Sequence, residues 1–589
     1  MSRNALLVAA LAAIVVLAAA PFLLSSFTIS LLDYVGVYAL VAIGLALLTG
    51  VAGIVSFGQA AFVGVAAYAT AWATALNGYS PWAGLLLAIL TTCAVAAALG
   101  AATLRLEGHF LSLSTLAWGL AIGFLFGNIE GLGNFSGISN IPPIRIGGRA
   151  LMQSGEIYYL ILACVIVALV LMYNLLDSRW GRAIRALRGG NVLVESLGIN
   201  AFQTKLASFV IAAFLAAISG WLYAHMSRFV SPATFDAAMG IEYLMMAMVG
   251  GQGSMIGGVV GASIITFLKN AIQDYLPLIS PNASGQLEVV AFAAIFIVFL
   301  QRARRGVVPY IADRLPRPSP PRPLAAQALR ERDQPAASAP LLRVEQAVRR
   351  FGGLIAVNTV SFEVRAGEIV GLIGPNGAGK STMFNLLTGA LKLDSGAIEF
   401  SGMPLHKMPQ RAIARAGVAR TFQHVKLRPR MSVLDNVLLG AHARLRSGLV
   451  RGMLRLDRAE EARARAEAMR QLERTGLADH VFDAAGSLPL GKQRLVEIAR
   501  ALAANPTLLV LDEPAAGLRR NEKMELAALL RELRADKLTV LLVEHDMEFV
   551  MSLVDRIVVM DFGSKISEGL PAEVRADPRV QEAYLGGVA

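Results

Sequence analysis

The stretch Gly374-Pro375-Asn376-Gly377-Ala378-Gly379-Lys380-Ser381-Thr382 fits the pattern G-x-x-x-x-G-K-[ST]. The apolar run Ile369-Val370-Gly371-Leu372-Ile373 stands before it and the helix-like run Met383 to Leu387 after it, giving a strand, a loop and a helix in that order. Glycines there let successive backbone N–H groups turn inward onto the α- and β-phosphates of a nucleotide at a helix N-terminus, where the helix dipole favours anions. Lys380 is expected to reach the β- and γ-phosphates and Ser381 to hold Mg²⁺. Gly374, Asn376, Gly377, Gly379, Lys380, Ser381 and Thr382 therefore form the expected nucleotide cradle.

The chain beyond this loop supplies the other groups that phosphoryl chemistry needs. Leu508-Leu509-Val510-Leu511 reads as a buried parallel strand that delivers Asp512 and Glu513 at its carboxyl end, the edge where such sheets bind ligands. Asp512 is expected behind Mg²⁺ through water, and Glu513 is placed to take a proton from an attacking water. Gln423, in Arg420-Thr421-Phe422-Gln423, is a Mg²⁺ ligand, a γ-phosphate sensor or a surface amide. His545 follows the strand Val540 to Val543, so it reaches the γ-phosphate, orients the water or only begins a helix. Phe351, ahead of the loop, either stacks on adenine or packs in the core.

Composition divides the chain in two. Only 16% of the 589 residues are charged, against about 25% in soluble proteins. Of 54 Lys+Arg, 11 precede residue 301, and of 42 Asp+Glu, 10 do, so the net charge of +12 lies almost wholly in the second half. Much of it is in arginines 302, 304, 305, 314, 317, 322, 330 and 332. Nucleic-acid binding is one use for such a run, but arginines just after an apolar segment more simply mark the cytoplasmic side of a membrane. Cys93 and Cys164 both lie in apolar segments, which implies neither a disulfide framework nor a cysteine metal site.

The first half reads as eight membrane crossings: Ala5–Leu24, Ile29–Leu48, Ile54–Leu76, Trp82–Leu104, Phe110–Phe126, Ile157–Leu176, Leu206–Ala224 and Leu287–Leu300. Between the sixth and seventh, a loop with Arg179, Arg182, Arg185, Arg188 and Lys205 is the strongest positive-inside signal. Within it, Glu195-Ser196-Leu197-Gly198-Ile199 is a short amphipathic helix suited to docking on a partner. Ile241–Phe267 is broken by Gly250-Gly251-Gln252-Gly253-Ser254 into pieces too short to cross alone, and reads as a re-entrant or broken pair returning to its own side. Together with the break at Thr49–Gly53, it marks either a solute path or close helix packing at small residues. No charged residue in the spans is diagnostic of a solute, and His225 and Asp236 read as interface residues. Leu315–Pro340 is Pro- and Arg-rich, then Ala-rich, too poor in large apolar groups for a core, and reads as a tether.

The motifs together resemble an ABC transporter ATPase. They are Phe351-Gly352-Gly353-Leu354, the phosphate loop, Arg420-Thr421-Phe422-Gln423-His424, Leu488-Pro489-Leu490-Gly491-Lys492-Gln493-Arg494, the Asp512-Glu513 strand end and Glu544-His545-Asp546. The second half is most similar to the first ATP-binding subunit of branched-chain amino-acid uptake systems. Through Thr49–Tyr68, Arg179–Gly198 and Val249–Ala262, the first half resembles a permease of those systems. The resemblance implies a polytopic α-helical membrane domain (1–306), a cytoplasmic linker (307–340) and an α/β P-loop ABC ATPase domain with a helical subdomain (341–589). It also implies that the signature loop, through Gly491, completes the ATP site of an opposite subunit.

Two positions depart from the family pattern. Pro489 stands where the signature has serine, and Arg519 where such ATPases carry Asp or Asn. A family member of this kind would need ATP and Mg²⁺, a second permease, a second ATPase and a periplasmic binding protein, and would sit in a bacterial inner membrane. The solute expected is a branched-chain or similar small amino acid; urea, short amides and small carboxylates are the alternatives, as is an ATP-gated membrane regulator. Exporters carry long helical extensions of their spans, and the short loop at 177–205 has none.

Overall fold

The computed structural model describes residues 3–106, 108–279, 285–303, 305–314 and 326–585. The chain divides into two compact units, Met1–Asp177 with Phe202–Pro321, and Ser178–Ala201 with Arg322–Ala589. The second unit thus takes in the basic loop at 178–201, which the reading from sequence left with the membrane half.

The first unit is helical. It contains α1 (Arg3–Leu23), α2 (Ser26–Leu45) with a π-helical continuation at Ala46–Ala52, α3 (Gln59–Ala71), α4 (Pro81–Thr103) and α5 (His109–Asn128). A small hairpin of β1 (Arg145–Ile146) and β2 (Arg149–Ala150) precedes α6 (Ser154–Leu176). The chain then contributes α7 (Arg179–Ala186) and α8 (Asn191–Ser196) to the second unit. It continues in the first as α9 (Ala201–Ser227), α10 (Ala237–Gly250), α11 (Met255–Ile279), α12 (Gly285–Arg302) and α13 (Val307–Ala312). Starts are set by side-chain caps: Ser25 accepts from Thr28 N–H, Ser80 from Ala83 N–H ahead of Pro81, and Asp236 from Met239 N–H.

Among the described residues, seven helical stretches are long and apolar enough to cross a membrane: Ser26–Ala52, Gln59–Leu76, Pro81–Thr103, His109–Asn128, Ser154–Leu176, Ala201–Ser227 and Met255–Leu276. Six coincide with expected spans. The expected first and last spans correspond to α1 and α12, whose apolar described parts are the shorter Leu11–Leu23 and Val290–Phe299.

The seventh corrects the reading of Ile241–Phe267, for only α10 is too short to cross. α11 continues past Phe267 because the charge that interrupts its apolar run is neutralised: Lys269 Nζ lies 2.8 Å from Glu242 of α10. α10 and α11 still pack against each other as a pair. The two glycine breaks meet, since a Cβ on Gly50 would overlap the backbone of Gly253, and one on Gly250 would overlap the Gly257 carbonyl. At these points the glycines serve close backbone packing.

The second unit is built on two sheets. Strands β3 (Pro340–Phe351), β4 (Leu354–Arg365), β6 (Ser395–Phe400) and β7 (Met403–Pro404) form an antiparallel sheet in the order β4-β3-β6-β7. The main sheet has the order β12-β11-β5-β10-β9-β8, with β5 (Ile369–Ile373), β8 (Val418–Arg420), β9 (Leu508–Asp512), β10 (Thr539–Val543), β11 (Arg556–Asp561) and β12 (Ser564–Gly569). All its neighbours are parallel except β11 and β12. β5, β9 and β10 are buried end to end, as strands covered on both faces must be. Leu372, Val510, Leu541 and Val543 enter one core, and Ile373, Leu509, Leu511 and Leu542 the other.

Helices α14 (Lys380–Leu387), α15 (Gln410–Ala416), α20 (Arg520–Ala535) and α21 (Met547–Leu553) accompany these sheets. The expected helical subdomain comprises α16 (Val433–Gly440), α17 (Leu449–Met453), α18 (Arg458–Arg474) and α19 (Leu490–Ala503). In the highly charged α18, Ala464, Ala468 and Leu472 recur every four residues and bury one stripe against α16 and α19.

The expected tether is only partly accessible to description, because residues 315–325 lie outside the described residues. From residue 326 it is no tether. Arg332 donates to the carbonyls of Ala416 and Arg415, Gln334 to that of Pro506 at 3.3 Å, and Leu329 packs on the helical subdomain. The segment is fastened by hydrogen bonds to the backbone carbonyls of Arg415, Ala416 and Pro506, which needs no apolar core.

Candidate functional site

The phosphate loop runs from the end of β5 into α14. Gly374, at φ 152°, packs against the Met560 carbonyl, and Gly379, at φ 94°, against that of Ala356, so a side chain at either position would collide with backbone. Lys380 is buried and donates to the carbonyls of Gly374 at 2.7 Å and Pro375 at 2.8 Å, folding the loop over its own amine. Burial holds its pKa below the ordinary lysine value, opposed by the nearby carboxylates of Glu513 and Asp512. Asn376, Gly377 and Ser381 are exposed and Thr382 half-exposed.

The carboxyl ends of β9 and β10 bring the acidic and histidine groups to the same edge. Asp512 is buried, its Oδ1 has no hydrogen-bond partner among the described residues, and burial raises its pKa. A buried acceptor with nothing to accept from is an anomaly that a cation site resolves. With the Ser381 hydroxyl and the exposed Gln423 amide, the oxygen donor set suits Mg²⁺.

Glu513 adopts φ 46°, a left-handed conformation uncommon for glutamate, and its N–H donates to the Val543 carbonyl at 2.9 Å. His545 Nδ1 lies 3.9 Å from Glu513 Oε2 and 3.8 Å from Glu544 Oε2, with its ring largely exposed. Gln423 follows β8, which runs beside β9, and the Thr421 hydroxyl accepts the Asp512 N–H at 3.3 Å. Phe351 is 43% exposed, with the Arg349 guanidinium 4.9 Å from its ring centroid, so it is a surface platform rather than a core residue.

Four residues take part in this arrangement that were given no role from the sequence. Glu544, wholly buried, accepts the N–H of Ala515 at 2.6 Å and that of His545 at 3.1 Å, joining the loop after Glu513 to the histidine. Arg494 of α19 donates to the carbonyls of Phe422 and Gln423, while Glu497 accepts from Lys426 N–H and Arg500 donates to the Lys426 carbonyl. Charged residues at three-residue spacing inside an otherwise buried helix were the available signal.

Gly491 sits one residue into α19, which Pro489 caps without a side-chain hydrogen bond. The space that a Cβ on Gly491 would need is filled by the Glu522 carboxylate, which also accepts the Arg519 N–H at 2.8 Å. The structure thus groups Gly491 with Glu522 and Arg519.

A 252-residue alignment covers 42% of this chain and 99% of the high-affinity branched-chain amino acid transport ATP-binding protein LivG of Salmonella typhimurium, at 48% identity. The chain belongs to the branched-chain amino-acid ABC transporter family. Its relative BraF of Pseudomonas aeruginosa is 43% identical over 42% of this chain and 99% of its own. Residues 27–300 match the family model of the branched-chain amino acid transport system permease component. Residues 357–516 match the ABC transporter model, and 564–589 the branched-chain amino acid ATP-binding cassette transporter model. A solved nucleotide-free ATP-binding cassette is 34% identical over 42% of this chain and 99% of that one, with a TM-score of 0.38.

The chain is therefore a permease fused to its ATP-binding subunit, an ATPase coupled to transport. In this branched-chain amino-acid ABC transporter, the loop at 178–201 is anchored within the ATPase unit. Arg182 forms a two-bond ion pair with Glu461, Glu195 lies 3.4 Å from Arg411, and Arg415 donates to the Gly198 carbonyl at 3.1 Å. His442 is buried close to Arg179, Arg182 and Arg415, and burial together with these cations pushes its pKa well below the ordinary histidine value.

Proposed function

We propose that this chain is half of an importer that moves branched-chain or similar small amino acids across a bacterial inner membrane. A second permease, a second ATPase and a periplasmic binding protein complete it. The observation that carries the reading is the convergence of Lys380, Asp512, Glu513 and His545 on one sheet edge of a chain whose other half is a permease.

ATP lies with its phosphates over the N–H groups of Gly374–Gly379 and its γ-phosphate near Lys380. Phe351 stacks on the adenine. Ser381, Gln423 and Asp512 would hold Mg²⁺, which would neutralise charge on the phosphate oxygens. A water attacks the γ-phosphorus, Glu513 takes its proton, the bond to the β-phosphate oxygen breaks, and ADP and phosphate leave. His545 orients the water, and Glu544 holds His545 relative to the loop that begins at Glu513. Gly491 and the residues around it complete the opposite subunit's site. The anchored 178–201 loop carries nucleotide-driven movement of the ATPase to the spans.

Proteoliposomes with the full complex, internal ATP-Mg²⁺ and external binding protein test the reading. Labelled leucine, isoleucine or valine should accumulate against a gradient and urea and short carboxylates should not. ATP hydrolysis without accumulation of any solute would favour the regulator reading.

A further inference from the structure

The membrane unit contains a polar cavity of about 210 Å³ lined by Asp33, Tyr34 and Ser30 of α2, Ser154 at the start of α6, and His225 and Arg228 at the end of α9. It is smaller than the roughly 300–1,000 Å³ of sites for drug-sized ligands, which fits a small solute. Asp33 is 2% exposed and its Oδ1 has no hydrogen-bond partner among the described residues. His225 is 3% exposed, and its Nε2 likewise has none. An acidic side chain placed within a membrane-spanning helix with no basic partner is costly, and a function is the default explanation for it.

The hydrogen bonds fix what these groups can recognise. His225 Nδ1 lies 2.7 Å from the Pro142 carbonyl, which only accepts, so Nδ1 carries the proton. In the neutral ring, Nε2 is then an acceptor. Two of the lining residues therefore carry unpartnered acceptors, a carboxylate oxygen of Asp33 and the imidazole Nε2 of His225, which fit a cationic group with several N–H donors. Arg228, an exposed residue of the same lining, brings the opposite charge. Arg228 donates through Nε to the Ile141 carbonyl at 3.1 Å, which leaves the two terminal nitrogens of the guanidinium for a carboxylate. Its backbone is held at φ 55° by Arg228 N–H donating to Ala224 and Ile141 N–H donating to Arg228, so the cation is held in place.

We propose that this cavity is a binding site for the zwitterionic head of an α-amino acid, with the ammonium on Asp33 and His225 and the carboxylate on Arg228. The inference rests on the importer reading for the identity of the solute, and adds that the permease half itself recognises both charges.

The test is thermal unfolding of the purified full complex without binding protein, titrated with L-leucine, leucinamide, which lacks the carboxylate, and 4-methylpentanoate, which lacks the ammonium. Leucine should raise the midpoint in the wild type and the two analogues should not. Asp33→Asn and Arg228→Gln should each weaken the leucine response about tenfold or more, since each removes a charge-assisted contact. Arg228 is exposed, so its substitution leaves the buried Asp33 and His225 in place. An unchanged leucine response in both variants, or no response in the wild type, overturns the site. If proteoliposomes meanwhile accumulate leucine, only this inference has failed; a leucine-responsive site in a complex that accumulates no amino acid overturns the importer reading instead.

Discussion

Arg182 and Glu461 form a bidentate ion pair, Nη1 to Oε2 at 2.8 Å and Nη2 to Oε1 at 2.9 Å, with side chains only 3% and 11% exposed. Removing one partner of a buried pair leaves a desolvated charge and costs about 3–5 kcal/mol. Arg182→Ala should therefore release α7 from the helical subdomain. The expected outcome is loss of most solute uptake with basal ATP hydrolysis retained, measured on the same proteoliposomes. Equal losses of uptake and hydrolysis would place the pair's role in folding of the cassette rather than in coupling.

Glu544 gives a pH prediction. Burial raises its pKa above the ordinary 4.5, opposed by the N–H bonds from Ala515 and His545. A carboxyl raised in the folded state contributes stability that is complete below the unfolded value and lost as pH rises through the folded value. Glu544→Gln removes that titration, so above pH 4.5 the wild type should lose thermal stability with rising pH more steeply than the variant. Parallel curves for the two proteins would mean that Glu544 does not titrate in this range.

Glu522 and Pro489 predict an asymmetric pair of ATP sites. Pro489 has neither hydroxyl nor N–H to give an opposite γ-phosphate, and the Glu522 carboxylate lies against Gly491, adding negative charge where that phosphate would approach. Like charges so placed cost several kcal/mol unless screened. Glu522→Gln, which keeps an acceptor for Arg519 N–H, should tighten ATP-dependent pairing of the cassettes about tenfold in light-scattering or cross-linking titrations. No change, or weaker pairing, would remove the electrostatic argument.

Asp512→Asn should raise the Mg²⁺ concentration needed for half-maximal hydrolysis about tenfold, while nucleotide binding in EDTA stays the same. The unpartnered buried Oδ1 motivates this. An unchanged Mg²⁺ requirement would move the metal's support elsewhere.

The nucleotide site was legible because its chemistry is written in short local segments. Gly374–Thr382 must be contiguous to wrap a phosphate, and Asp512-Glu513 must end a buried strand. What sequence reading missed is held by pairs far apart in the chain. The piece after the glycine break looked too short because the apolar stretch was ended at Phe267, ahead of Lys269, and the partner of that lysine, Glu242, lies 27 positions earlier on another helix. Arg182 and Glu461 are 279 positions apart, so nothing in either segment announces the pair. Glu544 stands in the sequence only as one residue of Glu544-His545-Asp546, and the fold shows it buried on the N–H of Ala515. Residues 326–340 lack an apolar core of their own, yet Arg332 and Gln334 find carbonyl partners that no local pattern reveals. His225 and Asp236, similar as isolated polar residues, part ways in the structure: Asp236 caps α10, while His225 lines the cavity with Asp33.

The central claim is that hydrolysis at this chain's own site drives import through the transporter it helps to form. The most direct measurement compares the wild-type complex with Glu513→Gln in this chain for ATP binding, phosphate release and leucine accumulation in one proteoliposome preparation. Loss of the general base should slow phosphate release from this site about 10²- to 10⁴-fold, abolish accumulation and leave ATP binding intact. Equal accumulation by wild type and Glu513→Gln would contradict the account.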